Sequence, residues 1–361
     1  MRRFVARLHR LLTAALPAMV WLGCAPDAPD VTGLPDLSRS QQQGLEQAMR
    51  AQERHTPALL SRGDVVGTAV GLDAGGNPVI HLYLTRGGGA LPAMLDGFRV
   101  VTAVTGPILT LAQDAQTLAP RAKPCPNPPC GGGGGDPVDP TARFARPVPI
   151  GVSTGHPDIT AGTIGARVTD GGAVYALSNN HVFANENNAT IGDNVLQPGA
   201  FDGGVDPADA IGTLFDYEPI AFGGTPNVID AAIAWSSTDN LGNATPSNGY
   251  GMPRSATMAA APGMRVKKYG RTTGQTQARV EAVNASVNVQ YDGGVALFVG
   301  QVIVRGGSFS AGGDSGSLIV VNGGANDRRP VALLFAGGGG ITVGNPIDAV
   351  LARFGVTIDG Q

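Results

Sequence analysis

The sequence predicts a mainly β fold: an antiparallel β-barrel or sandwich domain preceded by a small α+β domain. Three observations support this prediction. Glycine accounts for 54 of the 361 residues, and glycine supplies the positive-φ positions that tight turns need. Only 15% of the residues are charged, which disfavours long surface helices and coiled coils. From about Pro149 onward, short apolar runs recur between clusters of Gly, Asn and Asp, a pattern typical of a β-rich domain.

The first 23 residues resemble a bacterial export signal. They contain no acid. Four Arg lie within the first ten residues, and a mostly apolar run extends from Leu11 to Leu22. This run is too short to span a bilayer, which takes roughly 20 residues. Cys24 follows directly, as in a lipoprotein signal, so we predict lipidation at Cys24. The competing interpretation is ordinary cleavage after Ala25. We therefore expect an exported protein, lipid-anchored in the bacterial cell envelope, in the periplasm or on the surface.

The charge balance disfavours a nucleic-acid partner. The formal net charge of the chain is −3, and removal of the basic leader makes it more negative. Nucleic-acid binding instead requires a basic face. Cys125 and Cys130 are close enough in sequence for a small disulfide loop, which an oxidising compartment permits. The sequence does not decide whether they pair. It also leaves the oligomeric state open.

Composition divides the chain into five parts. We assign residues 1–23 to the signal peptide, 24–40 to a tether, 41–110 to the small α+β domain, 111–148 to a Gly/Pro/Cys linker and 149–361 to the β-rich domain. The linker assignment depends on five consecutive glycines and several prolines. Within the small domain we expect a helix over 41–54, strands at 65–71, 79–84 and 98–104, and a short helix near 91–95. A last helix is expected from Pro346 to Phe354.

Three segments of the β-rich domain combine into a pattern of nucleophilic catalysis. They follow in the order Leu177-Ser-Asn-Asn-His181, Val228-Ile-Asp230 and Gly312-Gly-Asp-Ser315-Gly316. Serine is a weak nucleophile that needs a base within reach, and the base needs an orienting carboxylate. Each motif taken alone also fits an ordinary turn or strand cap. Asp209 is a competing candidate for the acid, but it lies much nearer to His181 in sequence.

These segments resemble the chymotrypsin-type serine peptidases, with the His181 segment closest to their bacterial branch. The region from about Ala145 to Gly360 is similar to bacterial homologues of the plant narrow-leaf-type trypsin-like peptidases. Further motifs of that pattern are Leu196-Gln-Pro-Gly199, Gly270-Arg-Thr-Thr-Gly274 and Asn345-Pro-Ile347. The resemblance implies a chymotrypsin-like double antiparallel β-barrel. It also implies a serine endopeptidase that cleaves peptides or proteins and needs no cofactor or metal.

The resemblance further assigns roles to single residues. Ser315 is the nucleophile of an acyl-enzyme mechanism, His181 is the general base and Asp230 orients the base. The backbone N–H groups of Gly313 and Ser315 form the oxyanion hole.

Substrate-binding residues follow from the same resemblance. Phe335, Ala336 and Gly337 form an edge strand along the substrate backbone. Phe309 stands six residues before Ser315, where an acid would select a basic side chain. We therefore expect a small or apolar residue on the acyl side of the scissile bond, the P1 residue.

Two further expectations concern regulation. The barrel begins near Arg146-Pro147 without the Ile-Val-Gly-Gly start of zymogen-type relatives, so we expect Asp314 to have a partner other than a new amino terminus. The small domain is either a folding aid or built-in inhibitor, released by cleavage within 125–140, or a structural or substrate-docking accessory. The alternative function for the whole chain is a catalytically silent binding protein on the same fold.

Overall fold

The computed structural model describes residues 37–87, 89–111 and 138–361. The signal peptide, Cys24, Cys125 and Cys130 lie outside the described residues, so export, lipidation and the disulfide stay predictions. Across the described part of the chain, no helix is long and apolar enough to cross a membrane.

The N-terminal part of the described chain is one helix followed by five strands. These are α1 (Arg39–Leu60), β1 (Val65–Leu72), β2 (Pro78–Leu84), β3 (Met94–Leu95), β4 (Phe98–Val104) and β5 (Ile108–Thr110). The helix is longer than the predicted 41–54. It begins earlier because Ser38 and Gln41 form a capping box, which satisfies two backbone N–H groups of the first turn. It continues past Pro57 because the last turn packs the buried Leu59.

A hairpin replaces the short helix expected near 91–95. Strand β3 pairs antiparallel with β4, Leu95 facing Phe98. The two residues between them, Asp96 and Gly97, have φ of 46° and 86°. Positive φ at both central residues is the signature of the hairpin turn that matches strand twist, so the Asp-Gly pair decides the local structure.

The remaining elements form the β-rich region. The first group is β6 (Ser153–Thr154), β7 (Gly162–Thr163), β8 (Ala166–Thr169), β9 (Val174–Ser178), α2 (Asn180–Phe183), β10 (Asn194–Leu196), β11 (Ala210–Tyr217), β12 (Pro226–Asn227) and β13 (Ala232–Ser236). The second is β14 (Arg265–Gly270), β15 (Gly274–Tyr291), β16 (Gly294–Arg305), β17 (Leu318–Val321), β18 (Pro330–Gly338), β19 (Ile341–Pro346), α3 (Ile347–Phe354) and β20 (Thr357–Ile358). Helix α3 follows Pro346, as predicted.

Two antiparallel sheets form the two barrels, and β6 and β7 form a further two-stranded sheet. The sheet of the first barrel has six strands in the order β10-β11-β13-β9-β8-β20. In the other, β14-β15-β16-β19-β18-β17 follow one another, and pairing of β14 with β17 closes the ring. Strand β18 is buried along nearly its whole length, which explains its continuous apolar sequence. The predicted chymotrypsin-like double antiparallel β-barrel is confirmed.

The N-terminal strands extend the sheet of the second barrel. Strand β1 pairs antiparallel with β15, Gly67 facing Val287, and β2, β4 and β3 continue outward from β1. Across the same boundary, the Asn284 Nδ2 group donates to Gln52 Oε1 at 3.1 Å and to Glu53 Oε1 at 2.9 Å. The small α+β part therefore shares one continuous sheet with the barrel, and its status as a separate domain stays a prediction.

Residues 138–148, assigned to the linker, lie against the first barrel. The Arg143 guanidinium donates to Asp209 Oδ1 from Nε at 2.7 Å, and Val148 forms a β-bridge with Leu241. Val148 is buried in the apolar core of the first barrel.

Candidate active site

His181 and Asp230 are brought together by the pairing of β9 with β13. His181 lies in α2, directly after β9, and Asp230 lies two residues before β13. Their side chains are 2% and 0% exposed. His181 Nδ1 lies 2.5 Å from Asp230 Oδ2, and the His181 backbone N–H donates to Oδ1 at 3.3 Å. Because an ionised carboxylate can only accept, Nδ1 carries the proton and Nε2 of a neutral His181 is left as an acceptor.

Neighbouring side chains hold Asp230 in this orientation. The Tyr291 hydroxyl donates to Asp230 Oδ2 at 2.7 Å. Burial raises the pKa of Tyr291, and the Asp230 charge adds to the effect, so the phenol stays a neutral donor. The amides of Asn179 and Asn345 donate to the Asp230 carbonyl at 2.7 and 3.0 Å. No sequence motif marks Tyr291 as a functional residue. Asn345 belongs to the motif Asn345-Pro-Ile347 that the sequence analysis noted.

The Ser315 turn is packed against the first barrel. Thr163 N–H donates to the Ser315 carbonyl at 2.7 Å. Gly313, at φ +90°, lies so close to Thr272 that an added Cβ would be 2.6 Å from Oγ1. No L side chain fits this position without a shift, so glycine is required for the turn as it stands.

The Ser315 hydroxyl donates to the Phe335 carbonyl at 3.2 Å. His181 Nε2 is buried and has no hydrogen-bond partner among the described residues. The structure thus joins His181 to Asp230 but does not join Ser315 to His181. The Ser315 hydroxyl donates its hydrogen bond to the Phe335 carbonyl and not to the imidazole.

Asp314 has a partner from within the chain, as predicted. Its carboxylate pairs with Lys268 at 3.0 Å, and both side chains are 0% exposed. Burial lowers the pKa of Lys268, an effect that the Asp314 charge opposes. Asp314 also accepts from Thr273 Oγ1 at 2.7 Å and from the Ala311 N–H at 3.0 Å. The turn before Ser315 is therefore fixed without an inserted terminus.

The predicted substrate edge is covered by β5. This strand pairs antiparallel with β18, Thr110 facing Ala336 and Leu109 facing Gly337. Beyond β5, the Leu111 N–H donates to the Phe335 carbonyl at 3.4 Å, and the Gly313 N–H donates to the Leu111 carbonyl at 2.5 Å.

Phe309, predicted to shape the P1 site, is 1% exposed and belongs to the same buried apolar cluster as Leu111. Leu111 was not among the site residues predicted from the sequence. The only sequence feature that could have indicated it is the mostly apolar run Ile108-Leu-Thr-Leu111.

A cleft of about 1000 Å³ opens beside His181. Its lining is largely polar and includes Asn187, Glu186, Gln290 and Tyr291. No group of three or more metal-binding side chains occurs in the described ranges.

The chain has the fold of the chymotrypsin-type serine peptidases, with His181, Asp230 and Ser315 in the order of that class. Similar solved structures include a glutamic-acid-specific serine protease that uses a histidine triad in substrate binding, at 24% identity and TM-score 0.44, covering 58% of this chain and 100% of that chain. Thermobifida fusca Protease A is 19% identical, with TM-score 0.42 and coverage of 59% and 99%. Alpha-lytic protease homolog N4 is 24% identical, with TM-score 0.40 and coverage of 58% and 98%.

No protein-family model matches the chain, and no curated protein matches it. The narrower resemblance to the narrow-leaf-type peptidases stays a prediction.

Proposed function

We propose that this protein is a serine endopeptidase that hydrolyses peptide bonds through an acyl-enzyme on Ser315. The observation that carries the proposal is the buried His181–Asp230 pair, whose Nδ1 contact at 2.5 Å leaves Nε2 free to accept a proton. A buried imidazole oriented by a buried carboxylate, beside a serine in a glycine turn, is the arrangement that activates a hydroxyl. The export and envelope anchoring through Cys24 belong to the same proposal.

The mechanism assigns one task to each group. Ser315 Oγ leaves the Phe335 carbonyl, attacks the substrate carbonyl carbon and passes its proton to His181 Nε2. Asp230 stabilises the imidazolium, and the N–H groups of Gly313 and Ser315 stabilise the oxyanion. The leaving amine then takes the proton from His181, and water hydrolyses the ester. The mechanism requires the Ser315 hydroxyl to exchange its hydrogen bond with the Phe335 carbonyl for one with His181 Nε2.

A fluorophosphonate probe tests the proposal on the full chain. Wild type is expected to label over time, and Ser315→Ala is expected not to. Ser317→Ala is the matched control, because the Ser317 hydroxyl donates to the Asp314 carbonyl at 2.6 Å and has no part in the reaction, so that variant should still label. Absence of labelling in folded wild type would favour the silent binding protein, which the Ser315–Phe335 hydrogen bond also fits.

Gly313→Ala is expected to lower kcat by about 10²–10³-fold, the usual effect of losing one oxyanion donor. The added methyl cannot fit 2.6 Å from Thr272 Oγ1, so the turn shifts and the N–H leaves its position. Gly323→Ala is the control: its φ is +91°, but its Cβ would meet open space. Peptide hydrolysis and thermal unfolding of both variants check the prediction, and equal kcat values would contradict it.

A further inference from the structure

We infer that Ile108–Leu111 lies in the active site as the acyl half of a substrate, that the enzyme cleaves its own chain after Leu111, and that it prefers a Leu-like P1 residue. The inference rests on the proposed peptidase activity and adds the class of substrate to it.

The backbone of the segment is held as an added strand. Strand β5 pairs with β18 on one side and lies parallel to β15 on the other, Ile108 facing Val289. The Leu111 N–H continues this pairing to the Phe335 carbonyl at 3.4 Å. Added strands are a general mode of peptide recognition, since main-chain hydrogen bonds bind any sequence and side-chain pockets select among them.

The carbonyl of Leu111 occupies the position that the mechanism requires of a scissile bond. Its oxygen accepts from the Gly313 N–H at 2.5 Å, and Gly313 precedes Ser315 by two residues. The donor that would stabilise an oxyanion is thus already bonded to one particular carbonyl of this chain, and that carbonyl belongs to Leu111.

The side chain of Leu111 identifies the preferred P1 residue. It is 4% exposed and lies in a buried cluster with Val302, Phe309 and Leu334. It also lies against Gly337, where an added Cβ would be 3.4 Å from Leu111 Cδ2. A charged side chain in this cluster would lose its hydration without gaining a partner from the cluster, so we expect acidic and basic P1 residues to be rejected.

The cleavage step balances with the groups present and one water molecule. Ser315 Oγ bonds to the Leu111 carbonyl carbon, and its proton passes through His181 Nε2 to the amide nitrogen of Ala112 as the carbon–nitrogen bond breaks. Water then hydrolyses the Leu111–Ser315 ester, restores the serine hydroxyl and leaves Leu111 as a carboxylate. The cut precedes the 125–140 stretch in which the sequence led us to expect cleavage.

The first test follows the fate of the purified full-length chain by intact mass and amino-terminal sequencing. Wild type is expected to yield a fragment ending at Leu111 and one beginning at Ala112, whereas Ser315→Ala stays whole. Leu111→Asp is expected to slow the cut at least about tenfold, since it brings a charge into the cluster. Val104→Asp is the matched control: Val104 is 58% exposed and lies outside the Ile108–Leu111 segment, so that variant should be cut close to the wild-type rate.

The second test measures kcat/KM of the processed wild type on peptides that differ only at P1. Leu is expected to exceed Glu and Arg by about 100-fold, as a desolvated charge without a partner implies. A protein that labels with fluorophosphonate but cuts itself elsewhere, or that turns over Glu or Arg peptides as fast as Leu peptides, overturns the Leu111 assignment and leaves the peptidase standing. Folded wild type that neither labels nor cleaves overturns both.

Discussion

Asp230→Asn is expected to lower kcat by about 10⁴-fold while the protein stays folded, as the loss of the orienting acid does in serine peptidases of this type. Asp230 Oδ2 accepts from His181 Nδ1 and Oδ1 accepts from the His181 N–H. An amide has one oxygen for these two donors. If its nitrogen faces Nδ1, the imidazole proton moves to Nε2, which can then no longer accept the Ser315 proton. If its nitrogen faces the backbone, two N–H groups oppose each other.

Two variants serve as comparisons for Asp230→Asn. Asp209→Asn replaces the competing acid of the sequence analysis, whose carboxylate pairs with the exposed Arg143 at 2.7 Å, and should leave kcat near the wild-type value. Tyr291→Phe removes one donor to Asp230, with an expected loss in kcat of about 10–100-fold, since hydrogen bonds to charged groups contribute about 1.5–3 kcal/mol. Steady-state peptide hydrolysis checks all three, and a stronger effect from Asp209→Asn than from Asp230→Asn would refute the assignment of the acid.

Lys268→Met is expected to lower the free energy of unfolding by about 3–5 kcal/mol, because removing one partner leaves the other charge buried and uncompensated. Lys268 and Asp314 are both fully buried and lie 3.0 Å apart. Methionine keeps the shape of the side chain, so the loss of charge dominates. We expect the thermal midpoint to fall by roughly 10 °C, together with a loss of activity, since Asp314 fixes the turn that carries Ser315.

The neighbouring lysine provides the control for this prediction. Lys267 pairs with Asp327 at 2.8 Å, and the two side chains are 12% and 31% exposed. Because Asp327 stays partly hydrated when its partner is removed, Lys267→Met should lose less stability than Lys268→Met. Thermal unfolding followed by circular dichroism separates the two. Equal midpoints for the two variants would mean that the buried pair does not stabilise the Ser315 turn.

The features that the sequence predicts are those that depend on short segments of neighbouring residues. The His181 motif follows the apolar strand β9 and the Asp230 motif precedes the apolar strand β13. With the resemblance to the chymotrypsin-type peptidases, these two motifs predicted the His181–Asp230 contact. The strands of the small domain were predictable from alternation and turn residues. The boundaries of α1 were not, because they depend on the Ser38 cap and on packing of Leu59.

Contacts between strands that are distant in sequence could not be predicted, because the register of these strands depends on the whole fold. Lys268 and Tyr291 are single residues on β14 and β15, and neither stands in a motif. The placement of Leu111 against Gly313 depends on β5 meeting β18, and short apolar runs such as Ile108–Leu111 fit many positions. The orientation of the Ser315 side chain was likewise not predictable from the sequence, because it depends on a hydrogen bond to the Phe335 carbonyl of another strand.

The sheet shared by β1 and β15 also has a consequence for folding. It pairs Gly67 of β1 with Val287 of β15, and beside it Gln52 of α1 accepts a hydrogen bond from Asn284, 232 residues away in sequence. In the intact chain, bringing such parts together is a unimolecular loop closure whose entropy cost grows only slowly with length. Once the chain is cut after Leu111, the same pairing joins two molecules and depends on their concentration. The uncut protein should therefore refold at a rate independent of dilution, whereas the cut protein, once unfolded, should regain this sheet more slowly the more it is diluted.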